Sequence, residues 1–285
     1  EKVTLKLVKD GKELSSSGSI KILPKSVESF VFDDTPVGVS KIVLEPNDNF
    51  GLDNTAYIIT PLKKQIDVLL ITNKRNSNLE LALDSSKDIN LCIVNPPVLT
   101  ICTSGDKNGQ RIEPYEQDII IVHEINNVGE RNGILPGTFI DISNYVKNNG
   151  KLIVTAQNDL DKINMYESAV VELNGKAEEP AKVCVDIINQ FTKQFEKDIC
   201  FTTTGKYFKT ALKKNAVAVA STSNKMPVIA LTKIGEGKAA YYGIFDESSE
   251  FKTLPSYPIF WNELVNFMVQ TESVNDFNYK AGKIL

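Results

Sequence analysis

Apolar and polar residues alternate along the first part of the chain and give way to continuous apolar runs further on. Val3–Val8 and Ser40–Leu44 alternate with a period of two, which is typical of strands with one buried face. The turn residues Lys9–Lys12 separate the first strand from the next. We therefore predict a small Ig-like β-sandwich over residues 1–62, with its opening strand expected before Glu1.

A second pattern begins beyond Pro61. Ile66–Ile71, Asp118–Val122 and Lys151–Ala156 are almost uninterrupted apolar runs, the kind found in strands that are buried on both faces. Between these runs, apolar residues recur at the spacing of an α-helix. Strands that alternate with helices imply crossover connections, so residues 63–274 are predicted to form an α/β domain with a mostly parallel, doubly wound sheet.

The segment 160–250 contains shorter apolar runs. Three of them predict antiparallel hairpins added to the parallel sheet: Ala216–Ala220, Val228–Leu231 and Ala239–Ile244. The residues around Cys184 fit either a helix or a strand, and the sequence leaves both open. The last helix is clearer, because a helical period places three large apolar side chains on the face towards the sheet: Phe260, Leu264 and Phe267.

Composition narrows the class of protein. The chain has 285 residues, of which 42% are hydrophobic and 24% charged, as in ordinary globular proteins. The net charge is −4 with both signs interspersed, which argues against a nucleic-acid partner. The chain starts at Glu1 without an initiator Met and contains no apolar run long enough to span a bilayer. We expect a piece of a larger membrane-anchored protein, with residues 275–285 as a tail that leads towards the anchor.

The four cysteines have no CxxC spacing, so a zinc site is not predicted. Cys92 and Cys184 lie in apolar runs and are interpreted as small buried hydrophobic residues. A disulfide among Cys92, Cys102, Cys184 and Cys200 stays open, and the sequence does not assign a pairing.

Polar residues follow the predicted parallel strands, at the edge where open α/β sheets bind ligands. The candidates for ligand binding there are Thr72, Asn73, His123, Glu124 and Gln157. A dyad of Cys102 with the single histidine, His123, is a further hypothesis. Neither residue is held by a strand-to-helix elbow, so we expect no hydrolytic or amidotransferase chemistry.

No cofactor is predicted, because no GxGxxG string follows the first buried strand and Gly235–Lys238 lacks the spacing of a phosphate loop. Asp48 and Asp53 lie in a loop rich in oxygen ligands. The loop lacks the spacing of a calcium site, and its Asp and Asn residues favour tight turns. We interpret it as a structural turn and expect no metal there.

Residues 44–57, with Asp48, Asp53 and Asn54 among them, resemble a signature of Bat-type aerotolerance proteins. These are membrane proteins that often carry a von Willebrand factor A domain. In them an Ig-like, adhesion-type sandwich precedes a flavodoxin-like domain similar to class I glutamine amidotransferases. Further strings match in the same order, and residues 278–282 look like the stretch before the final membrane helix of such proteins. The amidotransferase cysteine and its His-x-Glu partner are absent at the matching places.

Three functions are compatible with this sequence. The leading hypothesis is a non-catalytic structural or interaction module of a membrane-anchored surface protein, on the extracytoplasmic face, with a protein partner. The second is a module that binds a small molecule or glycan in the crevice beyond the strand ends. The third is a hydrolase or transferase that uses Cys102 and His123.

Overall fold

The computed structural model describes residues 2–24, 26–30, 32, 35–46, 51, 53–60, 65–104 and 107–269. These residues divide into two compact units, one before Gln65 and one spanning Gln65–Val269.

The first unit is a single antiparallel sheet in the residues that the structure describes. Its strands are β1 (Lys2–Lys9), β2 (Lys12–Ser16), β3 (Ile20–Lys21), β4 (Gly38–Glu45) and β5 (Thr55–Thr60). The order is β2-β1-β4-β5, and β3 pairs with β1. Asp10 and Gly11 both have positive φ, which is the geometry of a tight hairpin turn, so the predicted turn is confirmed. The Ig-like sandwich expected over residues 1–62 stays a prediction, because the described residues of this unit give only the one sheet.

The second unit contains eleven more strands and three α-helices among its described residues. The first half holds β6 (Ile66–Ile71), α1 (Asn78–Asp84), β7 (Ile89–Val94), β8 (Ile119–Val122), α2 (Thr138–Lys147) and β9 (Lys151–Thr155). The second half holds β10 (Val171–Ala177), β11 (Ala181–Val185), β12 (Cys200–Thr204), β13 (Tyr207–Leu212), β14 (Val217–Thr222), β15 (Pro227–Ile234), β16 (Gly237–Tyr242) and α3 (Ser256–Val269).

Nine of these strands form one mixed sheet in the order β12-β11-β14-β15-β16-β9-β8-β6-β7. The strands from β16 to β7 run parallel to their neighbours. The strands from β12 to β16 pair antiparallel. A separate two-stranded antiparallel sheet joins β10 to β13.

The predicted fold class, a mostly parallel, doubly wound α/β sheet, is therefore wrong. The protein is mostly β, with 39% strand and 19% helix in mixed and antiparallel sheets. The physical reason lies between β9 and α3, where seven strands follow one another without an intervening α-helix. Consecutive strands joined by short turns pair antiparallel, because a parallel pairing needs a long crossover.

Alternate residues of the parallel strands supply two hydrophobic cores, one on each face of the sheet. Val68 and Leu70 of β6 face the core that contains α1 and α3. Leu69 and Ile71 face the other, where α2 packs together with Phe208 of the two-stranded sheet. Both faces of the parallel strands are thus covered, which explains their continuous apolar sequence.

We expect a fragment of residues 65–269 to fold by itself, because both hydrophobic cores lie entirely within it. Far-ultraviolet circular dichroism should show β structure, and urea should unfold the fragment in one cooperative transition. A fragment that unfolds without a cooperative transition, while the whole chain keeps one, would contradict this expectation.

Candidate functional site

The parallel strands end at one edge of the sheet, and polar side chains follow four of those ends. We call this the carboxyl edge. Thr72 follows β6, His123 follows β8, and Gln157 and Asp246 follow β9 and β16. Adjacent parallel strands bring these residues together, as the strand-end argument predicts for the first three.

His123 is enclosed within the protein, with only 3% of its surface exposed. Its Nδ1 lies 2.9 Å from the Thr155 hydroxyl oxygen, and its Nε2 lies 3.9 Å from a carboxylate oxygen of Glu124. Burial, with a smaller contribution from the positive charge of Lys74, lowers the pKa of His123 to about 3. The imidazole is therefore neutral at physiological pH and poorly suited to accept a proton.

Glu124 reverses the chain direction directly after His123. Its φ of +43° lies in the left-handed region, which costs a non-glycine residue roughly 1–3 kcal/mol. Two contacts hold the conformation. The Glu124 carbonyl accepts the Asn73 N–H at 3.1 Å, and its carboxylate pairs with the Lys74 ammonium at 2.8 Å.

The Thr72 hydroxyl bonds within its own loop, and the Asn73 side chain bonds to the loop after β8. The Thr72 hydroxyl is buried and accepts the Lys74 N–H at 3.0 Å. The Asn73 side chain accepts the Asn126 N–H at 2.7 Å and donates to the Asn132 carbonyl at 3.0 Å. These bonds tie the loop after β6 to the loop after β8.

The side chain of Gln157 bonds to both backbone groups of Ile125. Its Oε1 accepts the Ile125 N–H at 2.9 Å, and its Nε2 donates to the Ile125 carbonyl at 3.0 Å. Gln157 and Ile125 are both almost completely buried, so these two bonds satisfy the N–H and the carbonyl of a buried residue. Gln157 therefore fixes the loop after β8.

Asp246 is a member of this edge that the sequence argument missed. It accepts a bond from the Tyr257 hydroxyl at 2.6 Å. Burial raises the pKa of Asp246, the negative charge of Glu124 raises it further, and the bond from Tyr257 opposes both. Asp246 and Glu124 both line a crevice of about 210 Å³. The same strand-end rule would have found Asp246 if β16 had been predicted as a parallel strand.

Cys102 does not offer a thiol to His123. It forms a disulfide with Cys92, with an S–S distance of 2.03 Å. Cys184 and Cys200 form a second disulfide, so the interpretation of Cys92 and Cys184 as simple hydrophobic residues is corrected. A Cys–His dyad requires a free thiolate, which this oxidised state does not contain.

Of the two carboxylates considered for a metal, Asp48 is outside the described residues, and Asp53 is exposed before β5. Among the residues that the structure describes, no three His, Cys, Asp or Glu side chains are grouped so that they could hold a metal ion.

Residues 67–264 match the family described as a domain of unknown function, DUF7408. The chain belongs to this family. The match begins within β6 and ends within α3, so the DUF7408 domain coincides with the nine-stranded sheet and its helices. A comparison with curated proteins gives no match.

Several solved structures share the fold of the DUF7408 domain. A cytoplasmic protein from Salmonella typhimurium LT2 has a TM-score of 0.54 at 13% identity, covering 71% of this chain and 99% of that one. A second cytoplasmic protein from Salmonella typhimurium has a TM-score of 0.52 at 15% identity, covering 70% and 98%. A ThuA-like protein from Parabacteroides merdae has a TM-score of 0.50 at 11% identity, covering 74% and 93%. At these identities the likeness concerns the fold alone.

Proposed function

We propose that this chain is a non-catalytic interaction module that a membrane-anchored protein displays on the extracytoplasmic face. One observation carries the proposal: all four cysteines are paired in two disulfides. Disulfides persist in oxidising compartments outside the cytoplasm and are rare where thiols are kept reduced.

The carboxyl edge supports a non-catalytic role. A general base needs a pKa near the working pH, and a nucleophile needs a free reactive atom. Burial lowers the pKa of His123 to about 3, and the Cys102 sulfur is bonded to Cys92. The Thr72 hydroxyl bonds to the Lys74 backbone in its own loop, and Gln157 bonds to the Ile125 backbone, so we do not propose them as ligand-binding residues. The edge holds its loops in one shape, which suits recognition by a protein partner.

The proposed membrane anchor rests on the resemblance to Bat-type proteins, in which a stretch like residues 278–282 precedes a membrane helix. In the part of the chain that the structure describes, no helix has the length and apolar character to cross a bilayer. The proposal places the anchor after residues 278–282, as in the proteins that this stretch resembles.

The compartment can be tested on the native protein in intact cells. A membrane-impermeant amine-reactive biotin reagent should label the protein before the cells are lysed. After the protein is unfolded, a maleimide should label the cysteines only if the sample has first been treated with a reductant. Biotin labelling that requires lysis, or maleimide labelling without reduction, would contradict the proposal.

Removal of the Cys184–Cys200 disulfide should lower the free energy of unfolding by about 3 kcal/mol, the value expected for a loop of this length. The bond joins β11 to the edge strand β12 across a sequence separation of 16. The double variant Cys184→Ala/Cys200→Ala and the wild type should be compared by urea denaturation. In the presence of reductant the difference between them should largely vanish. A difference that persists there would assign the effect to packing rather than to the cross-link.

A further inference from the structure

A second concave site lies at the opposite edge of the DUF7408 sheet, where β8 and β9 begin. It is a groove of about 510 Å³ between the end of α2 and the segment before β8. We call it the amino-edge groove. The lining residues that matter here are Tyr115, Gln117, Asp141, Asn144, Tyr145 and Asn148.

One wall of the amino-edge groove is aromatic. Tyr115 is 38% exposed and lies against Tyr145, with ring centroids 6.2 Å apart and a tilt of 42°. The Tyr145 hydroxyl donates to the Gln117 carbonyl at 2.9 Å, which anchors the supporting ring. Gly150 makes room for it, because a Cβ at that position would come within 2.5 Å of the Tyr145 ring. The exposed Tyr115 ring thus packs against a Tyr145 ring that is itself held in place.

The other wall is polar and belongs to one side of α2. Asp141, Asn144 and Asn148 follow one another at helical spacing, and they line the groove together. Among the described residues we find no hydrogen-bond or ion-pair partner for their side chains. The Oε1 of Gln117 is also buried without a partner in the described part of the chain. Asp141, Asn144 and Asn148 are exposed, so a ligand in the groove can replace the water at their donors and acceptors. The Gln117 oxygen is a buried acceptor whose capacity is unused.

Charge in the groove disfavours anions, because its lining contains two carboxylates, Asp118 and Asp141, and one ammonium, that of Lys151. The Lys151 ammonium donates to the Asn149 carbonyl at 2.6 Å and to the Asn149 side-chain oxygen at 3.3 Å. Burial, helped by the negative charge of Asp141, raises the pKa of the Tyr115 phenol to about 12. Tyr115 is therefore a neutral hydroxyl at physiological pH, and Asp141 contributes a negative charge to the lining.

We propose that the amino-edge groove binds a neutral saccharide. The apolar face of a sugar ring would lie on the Tyr115 ring, and its hydroxyl groups would exchange hydrogen bonds with Asp141, Asn144 and Asn148. A carboxylate and two amides offer both acceptors and donors, which suits hydroxyl groups because these are donors and acceptors at once. An apolar ligand would leave the same polar groups unpaired at a cost. This inference goes beyond the proposed function and does not depend on it.

Saturation-transfer NMR on the whole chain tests the proposal with neutral oligosaccharides of glucose, galactose, mannose and N-acetylglucosamine. At least one of these probes should show binding. Tyr115→Ala should weaken its Kd about tenfold or more, the change that corresponds to loss of one aromatic contact. Tyr115→Phe should bind within about twofold of the wild type, because the ring remains. Asn144→Ala should weaken binding without removing the ring.

Tyr57→Ala is the matched control, since Tyr57 is 61% exposed in the other unit and does not line the groove. It should leave the Kd unchanged. Thermal unfolding should show that each variant is folded before binding is measured. No binding of any probe would overturn the proposal, and so would a Kd that Tyr115→Ala leaves unchanged in a folded protein. Equal weakening of binding by Tyr57→Ala and Tyr115→Ala would also overturn the proposal, because the effect would then not depend on the groove.

Discussion

Replacing Phe260 by alanine is expected to lower the free energy of unfolding by about 3–5 kcal/mol, the usual cost of deleting a buried aromatic ring. Phe260 lies in the middle of α3 and is 0% exposed. Its ring meets Phe191 and Phe251 at centroid distances of 5.6 Å and Trp261 at 5.8 Å, each in an edge-to-face arrangement. The lost stability includes the contribution of these ring contacts as well as that of burying the ring away from water.

The size of this effect depends on how far the surrounding rings can close the cavity. Phe260 is surrounded by other rings on several elements, which are themselves closely packed and can shift little. Urea denaturation of the variant and the wild type gives the difference directly. The control is Ile259→Ala, because Ile259 precedes Phe260 in the same helix and is 52% exposed. The control should change stability by about 0.5 kcal/mol or less. Equal losses in the two variants would refute the central position of Phe260 in this core.

The parallel part of the fold could be predicted from the sequence. Ile66–Ile71 and Asp118–Val122 are apolar at almost every position, and the strands they form, β6 and β8, are covered on both faces. The last helix was equally readable, since Phe260 and Leu264 are completely buried as their period predicts. In both cases the signal reports burial, which is a local property that periodicity measures well.

Strand direction is not a local property, and for this reason the predicted mostly parallel sheet is wrong. The sequence left the residues around Cys184 open between a helix and a strand. Val183–Val185 forms part of β11, which runs antiparallel to both of its neighbours. Nothing within such a short run distinguishes a parallel from an antiparallel partner, because the side chains alternate in the same way in both. The hairpin predicted at Ala239–Ile244 is confirmed, because β16 pairs antiparallel with β15. The prediction lacked the second pairing of β16, which runs parallel to β9. The balance of parallel and antiparallel pairs, and with it the fold class, depended on contacts distant in sequence.

The candidate site also could be predicted only in part from the sequence. The strand-end rule located Thr72, His123 and Gln157 at one edge, but it could not tell whether their side chains face the crevice or the interior. That depends on partners far along the chain, such as Thr155 for His123 and Ile125 for Gln157. The pairing of Cys92 with Cys102 likewise depends on how the loop after β7 folds back. Sequence therefore indicated the place of the site, while the state of each group required the structure.

The protein is expected to lose stability as the pH falls from about 6.5 towards 3 because His123 is buried in its neutral form. In the unfolded chain the imidazole has its ordinary pKa near 6.5. In the folded protein burial lowers the pKa of His123 to about 3. Between these values the unfolded state binds a proton that the folded state does not, so acid favours unfolding. At 1.36 kcal/mol per unit of pKa, the full contribution is roughly 4–5 kcal/mol, and most of it is lost by pH 4.

His123→Gln isolates this contribution, since glutamine does not titrate and its amide can still bond to the Thr155 hydroxyl. Urea denaturation at pH 7 and pH 4 should give a smaller drop in unfolding free energy for the variant, by about 3 kcal/mol. Asp246 titrates with the opposite sign: burial raises its pKa, so its folded state holds the proton more tightly. That contribution is present in both proteins and cancels in the comparison to first order. A pH dependence identical in variant and wild type would mean that His123 is accessible to protons in the folded state. That result would refute the buried, neutral state of His123, and the imidazole would then act in its protonated form, 3.9 Å from the carboxylate of Glu124.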